Sequence, residues 1–145
     1  MESNIQVALS AEIISRCFPV VRELRPHLTE EEFLARVQRQ QQQGGYQLAF
    51  LEVDREVRSV AGFRFLENLA WGRFLYVDDL VTRACDHGSR FGSTLFDWLV
   101  QQAKLAGCQE LHLDSGVQRF GAHRFYLHKG MNITSHHFAR SLAGE

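Results

Sequence analysis

The sequence predicts an α+β fold, and three observations carry that reading. From Tyr46 to Thr82, three successive segments, YQLAFLEVD, VRSVAGFRFLE and WGRFLYVDDLVT, are rich in β-branched and aromatic residues and are separated by short turns. Helical periodicity flanks this block on both sides, so helices and an antiparallel meander occupy separate stretches of the chain. The 145 residues contain no internal repeat and no linker, which predicts a single domain over 1–145.

Taken in order, Ile5–Leu9 reads as a short first strand, and Ser10 as the N-cap of a helix through Ile13, Ile14, Cys17 and Phe18 that Pro19 kinks or breaks. Thr29-Glu30-Glu31-Glu32 is a capping box, with Thr at the cap and Glu three residues on. The helix it opens turns Phe33, Leu34 and Val37 to one face and stops at Gly44-Gly45, with Gln40–Gln43 as its solvated last turn. After the meander, Leu95, Phe96, Leu99, Val100 and Ala103 share one face of a helix over Ser93–Ala106, stopped by Gly107. ELHLDSG (110–116) then reads as a strand, AHRFYLHKG (122–130) as a short helix, and NITSHHFAR (132–140) as a final strand. The predicted order is βααβββαβαβ.

Composition excludes several functions. The formal charge of −1 supplies no global basic field for nucleic acid or an anionic membrane, so any anion site is local. No run approaches the ~20 apolar residues of a membrane-spanning helix, and the N-terminus lacks the basic-then-apolar order of a signal peptide. Cys17, Cys85 and Cys108 are odd in number and widely spaced, which fits a reducing cytoplasm better than disulfides or zinc. His136-His137 are adjacent, and His123 and His128 are five apart, so neither pair shares a face, and no metal site is expected.

The segment VDDLVTRACDHGSRFGSTLFDWL, residues 77–99, carries the functional signal. A strand, a Gly-containing polar turn and a helix N-terminus together build an anion cradle from backbone N–H groups and the positive end of the helix dipole. With the meander before it, and LHLDSG and AHRFYLHKGM after it, this arrangement resembles the GNAT superfamily of N-acyltransferases, most densely from Phe74 to Phe138. The resemblance implies a central mixed, mostly antiparallel sheet flanked by helices, and acetyl-CoA as co-substrate. It implies that Leu75–Thr82 splays from its neighbouring strand and pairs with pantetheine, with the backbone of Leu80 and Val81 polarising the thioester and Thr82 closing the strand. The pyrophosphate turn would be His87, Gly88, Ser89, Arg90, Phe91, Gly92 and Ser93. In the family pattern Arg/Gln-x-x-Gly-x-Gly/Ala, His87 and Arg90 depart and Gly92 matches. Arg90 fits without strain if its φ is negative; a positive φ costs a non-Gly residue roughly 1–2 kcal/mol.

Tyr126 in HRFYLHKGM matches the family tyrosine near the CoA sulfur, a general acid, although a half-buried structural tyrosine has the same signature. Ser115 stands where a pantetheine contact or a simple turn would fit. Asp78 and Asp79, adjacent in a strand, are expected on opposite faces. One of them faces an acceptor cleft as a proton acceptor, or both pair with arginines such as Arg64 or Arg73. Trp71 and Arg73 line that cleft or pack as a hairpin tip. The resulting expectation is an acetyltransferase that passes an acetyl group directly to a small-molecule or peptide amine. The alternatives are a non-catalytic acyl-CoA module and a binding domain that has lost CoA. A homodimer through the final strand is left open.

Overall fold

The computed structural model describes residues 3–144. By its contacts the chain divides into two units, the first ending at Leu113 and the second starting at Asp114.

The first unit is a five-stranded sheet with helices on both faces. Strands β1 (Asn4–Val7), β2 (Gln47–Val53), β3 (Glu56–Asn68), β4 (Gly72–Thr82) and β5 (Glu110–Leu113) lie side by side in chain order. The first three pairings are antiparallel, and β4–β5 is parallel. The meander is therefore as the sequence predicts. Asp54 and Arg55 both have positive φ in the turn between β2 and β3, the conformation a two-residue hairpin demands.

Helices α1 (Ala11–Arg16), α2 (Phe18–Leu24) and α3 (Glu30–Gly44) cover one face, where Ile14, Phe18, Val21, Phe33 and Val37 pack with Leu48, Phe50 and Val60. Helix α4 (Phe91–Leu105) covers the other, where Leu95, Leu99 and Ala103 pack with Ala49, Ala61, Phe63, Leu75 and Val77. Alternate residues of β2 thus serve two cores, as period-2 geometry requires. The Thr29–Glu32 capping box forms, and Gly45 ends α3 in the left-handed region at φ 68°. Pro19 does more than break α1. It sits in the first turn of a separate helix, α2, where its missing N–H costs nothing.

In the second unit, α5 (Phe120–His128) is followed by chain without regular structure from Met131 to Arg140. The expected strand over 132–140 does not form. Ile133 and Phe138 are five residues apart, so an extended chain would turn them to opposite faces and give neither face an apolar row to bury. Both are exposed. The sequence left open a dimer edge on that strand, and without the strand that particular edge does not form. Among the described residues, no helix is long and apolar enough to cross a membrane.

Candidate active site

Strand β4 carries one residue more than its partner needs. Phe63 pairs with Val77 and Gly62 with Asp79, so Asp78 is the extra residue of a β-bulge. The phase of the strand changes there: Val77 and Leu80 both pack on the α4 side although they stand an odd three positions apart, while Val81 packs on the side of α1–α3. The expectation that Asp78 and Asp79 diverge to opposite faces is corrected, because period-2 alternation stops at a bulge. Both line one cavity of about 300 Å³, with Val21 of α2, Arg25 at its C-terminal cap, His27, and Arg36 and Val37 of α3.

The two carboxylates are held differently. Asp78 accepts from Arg64 Nε and Nη2, both at 2.9 Å, in a bidentate pair. Burial pushes its pKa above the ordinary carboxylate value, and Arg64 only partly offsets this. Asp79 accepts from Arg25 Nε at 3.0 Å and from the Tyr46 hydroxyl at 2.8 Å, while Arg25 Nη2 donates to the Asp78 carbonyl at 3.1 Å. Tyr46 is buried, and burial followed by the Asp79 charge pushes its pKa well up, so the phenol stays a donor. The phenol reaches Asp79 by crossing Gly62: a Cβ there would stand 1.8 Å from Tyr46 Oη. Of the arginines expected for this pair, Arg64 is present and Arg73 is not; Arg73 Nε donates to the Ala106 carbonyl. Trp71 stacks on His112 at 3.5 Å between ring centroids and meets Phe74 edge-on, the packed-tip alternative.

Past the bulge, β4 loses its neighbour. Pairing with β5 runs from Phe74–Glu110 to Val77–Leu113 and stops. Leu80, Val81 and Thr82 continue with β3 on one side and, among the described residues, no strand on the other. Ser59 secures the strand end, donating to the Val81 carbonyl at 3.0 Å, with the Thr82 hydroxyl at 2.9 Å.

The turn follows. Ala84–Asp86 is a single 3₁₀ turn, tied down where Arg58 and Arg83 both bind Asp86. Burial works to raise the Asp86 pKa, but Arg83 and Arg58 hold it below the ordinary value. The His87 Nε2 lies 3.0 Å from the Thr82 carbonyl, so this ring nitrogen closes the turn. Gly88 has φ 89°, and Ser89 bonds back to the Asp86 carbonyl. Arg90 is the N-cap of α4 at φ 73°, ψ 7°, in the left-handed region, so the strained alternative is the one realised. Helix α4 starts at Phe91, two residues before the predicted Ser93. The N–H groups of Gly92 and Ser93 fall in its first turn, where no intrahelical acceptor precedes them. A Cβ on Gly92 would meet Thr82 Oγ1 at 2.7 Å, so a side chain there would push the helix start off the strand end.

In the second unit, Ser115 Oγ is buried and, among the described residues, without a hydrogen-bond partner. Tyr126 is half-buried on α5. Burial raises its pKa and the Arg119 guanidinium works against that, leaving the hydroxyl protonated at neutral pH. His123 Nε2 lies 2.7 Å from the Gly116 carbonyl. Among the described residues no group of three or more His, Cys, Asp or Glu side chains is placed to hold a metal ion.

Sequence reasoning missed Arg25, Tyr46, His27 and Arg36, which lie 33 to 54 residues from the carboxylates where bonded to them. One signal was visible. Gly62 interrupts a strong strand, a mark of a bulge or of close approach by another group.

A sheet whose fourth strand sheds its parallel neighbour, then runs into a backbone turn and a helix N-terminus, has the layout that the sequence resemblance implies for an acyl-CoA-dependent transferase. Comparison with known proteins makes this specific: the Acetyltransferase (GNAT) family model matches residues 10–131, and the chain belongs to that family. It is 33% identical over 132 residues to an uncharacterised N-acetyltransferase, YhdJ, of Bacillus subtilis, covering 90% of this chain and 93% of that protein. It is 32% identical over 66 residues to the aminoalkylphosphonate N-acetyltransferase of Salmonella typhimurium, covering 46% of this chain and 43% of that one. Among solved structures it is similar in fold to aminoglycoside N-acetyltransferase AAC(6')-Iy in complex with CoA. The TM-score is 0.83 at 11% identity, over 99% of this chain and 98% of that chain. The protein is an acetyltransferase of a family that uses acetyl-CoA.

Proposed function

We propose that the protein transfers the acetyl group of acetyl-CoA to a primary amine by direct attack in a ternary complex. The observation that carries the reading is the partnerless β4 segment at Leu80–Thr82, which runs into the turn at His87–Ser93 beside the cavity walled by Asp78 and Asp79. The free strand edge suits the amides of pantetheine, and the turn with the first-turn N–H groups of α4 suits the pyrophosphate. Ser115 Oγ, buried without a partner, is suited to a pantetheine hydrogen bond. The family match extends across both units, which supports one catalytic domain.

In the reaction the amine nitrogen attacks the thioester carbonyl carbon. The C–N bond forms, the C–S bond breaks, and its electron pair leaves on sulfur. Asp78, its pKa raised by burial, is the better matched acceptor for the proton the amine loses, with Asp79 holding Arg25 and Tyr46 in place. Tyr126 keeps its proton at neutral pH and supplies it to the leaving thiolate. No acyl-cysteine is invoked: burial pushes the Cys17 thiol up to about 12, and none of the three cysteines lines the cavity. Thiol release from acetyl-CoA over a panel of amines tests the reading. Turnover is expected, with kcat lowered about 100-fold in Tyr126→Phe. No release with any amine, while CoA still binds, would count against it.

A further inference from the structure

The acceptor cavity has two walls of opposite charge. On the sheet side stand Asp78 and Asp79; on the helix side stand Arg25, His27 and Arg36. The sheet-side charges are already balanced, Asp78 by Arg64 and Asp79 by Arg25. Arg36 and His27 are not matched in this way. Among the described residues neither side chain has a hydrogen-bond or ion-pair partner, and the nearby Glu32 feels both only at longer range, its own pKa set first by Thr29. An arginine with no close carboxylate partner, beside a histidine that can donate a hydrogen bond, makes this wall repel a polyamine and attract an anion. The volume, about 300 Å³, lies at the low end for small-molecule sites and suits a small acceptor.

From this geometry we infer that the acceptor is a small amine bearing its own acid group, a carboxylate, phosphonate or phosphate. Its amino end lies toward Asp78 and Asp79, and its acid is held by Arg36 with His27. The inference rests on the proposed amine acetylation and names the substrate class for that site. Arg36 presents a planar fork of N–H donors that matches any of the three oxyanions. His27 adds a ring N–H donor beside it.

The test uses amines of matched chain length: 2-aminoethylphosphonate, β-alanine, ethanolamine and ethylenediamine, each with acetyl-CoA and the full chain. The acid-bearing pair is expected to show kcat/KM at least about 10-fold above ethanolamine, with ethylenediamine poorest, since a hydrogen bond to a charged group is worth about 10- to 100-fold. Arg36→Gln, a substitution at an exposed helix position, should raise KM for the acid-bearing pair far more than it lowers kcat, and collapse their preference toward one. The two acids differ in charge and size, so their ratio reports which oxyanion fits best. Turnover that is indifferent to the acid, or a preference unchanged in Arg36→Gln, would overturn this inference while leaving acetyl transfer intact. If no amine turns over, acetyl transfer is the reading that fails, and calorimetry with the same four compounds then decides the binding claim. Acid-selective binding lost in Arg36→Gln supports it, and unselective or absent binding refutes it.

Discussion

Gly62→Ala is the substitution whose outcome the structure fixes most tightly. In an ordinary strand, replacing glycine by alanine at a compatible φ stabilises a protein by about 0.4–1 kcal/mol, because the unfolded chain loses freedom. At Gly62 the new Cβ would stand 1.8 Å from Tyr46 Oη, 2.4 Å from its Cζ and 2.7 Å from its Cε1. The phenol is 4% exposed, so it has no open space to enter without moving its neighbours. Overpacking of this kind costs about 1–3 kcal/mol. The displaced hydroxyl also leaves Asp79, and a hydrogen bond to a charged acceptor contributes about 1.5–3 kcal/mol. Together these predict a loss of about 3–5 kcal/mol, with the sign reversed from the strand default.

The second half of the cycle isolates the cause. Tyr46→Leu removes the three atoms that a Cβ at Gly62 would meet, so in that background Gly62→Ala should be neutral or mildly stabilising. The coupling between the two sites is then about 3–5 kcal/mol, well above the few tenths expected of independent positions. Urea denaturation followed by tryptophan fluorescence reads it, and Trp98 is a suitable reporter because it packs edge-on against Phe63 at 5.8 Å. If Gly62→Ala costs under about 1 kcal/mol in the wild-type background, or costs the same in both, the phenol does not cross this glycine and the account of how Asp79 is held is wrong.

Three further outcomes follow from named groups. Because Arg90 is left-handed at φ 73°, Arg90→Gly should be about 1 kcal/mol more stable than Arg90→Ala in urea, since alanine keeps the strain that glycine sheds; equal stability would refute that backbone. Both variants lose the guanidinium, so both should weaken CoA binding by calorimetry about three- to tenfold if it pairs with phosphate. Maleimide should label exposed Cys85 rapidly and Cys17, buried with its thiol pKa at about 12, only after unfolding, as mass spectrometry of the digested protein would report. Burial raises the Asp78 pKa in the folded state, so the native protein binds more protons there than the unfolded chain between the ordinary carboxylate value and the raised one. Stability from this group therefore rises as pH falls through that window, so wild type should gain stability relative to Asp78→Asn on acidification, in urea denaturation at two pH values; a relative loss would refute the raised pKa.

The elements most legible in the sequence are those whose signals are local. The Thr29–Glu32 capping box, the Gly45 stop and the α4 face of Leu95, Leu99 and Ala103 each depend on residues a turn or two apart, and each forms as read. The strand end, turn and helix start after β4 were legible because these parts are contiguous. What escaped depends on partners far along the chain. Arg25 and Tyr46 have nothing in their own surroundings that points to Asp79, and only the packing of α2 and β2 against the sheet brings them there. The segment 132–140 failed the other way: its composition favours a strand, but a strand needs an apolar face and a partner edge, and its sequence supplies no such face.

The bulge at Asp78 shows why one residue outweighs many correct element assignments. With strict alternation, Val77 and Leu80 could not both face α4, and Asp79 and Val81 would be carried over to that side. The extra residue restores them to the side of α1–α3, where Tyr46 and Arg25 wait, and puts both carboxylates into one cavity. The same extra residue adds twist and bend to its strand, and β4 parts from β5 at Val77–Leu113, immediately before it. The acidic wall of the cavity and the exposed strand edge therefore meet at one irregularity. Removal of Asp78 would leave Asp79 opposite Gly62 and on the same side, but in a single step it would take away one of the two cavity carboxylates and the added twist where β4 parts from β5. That coupling explains why an acidic pair is tolerated in the middle of an otherwise apolar strand.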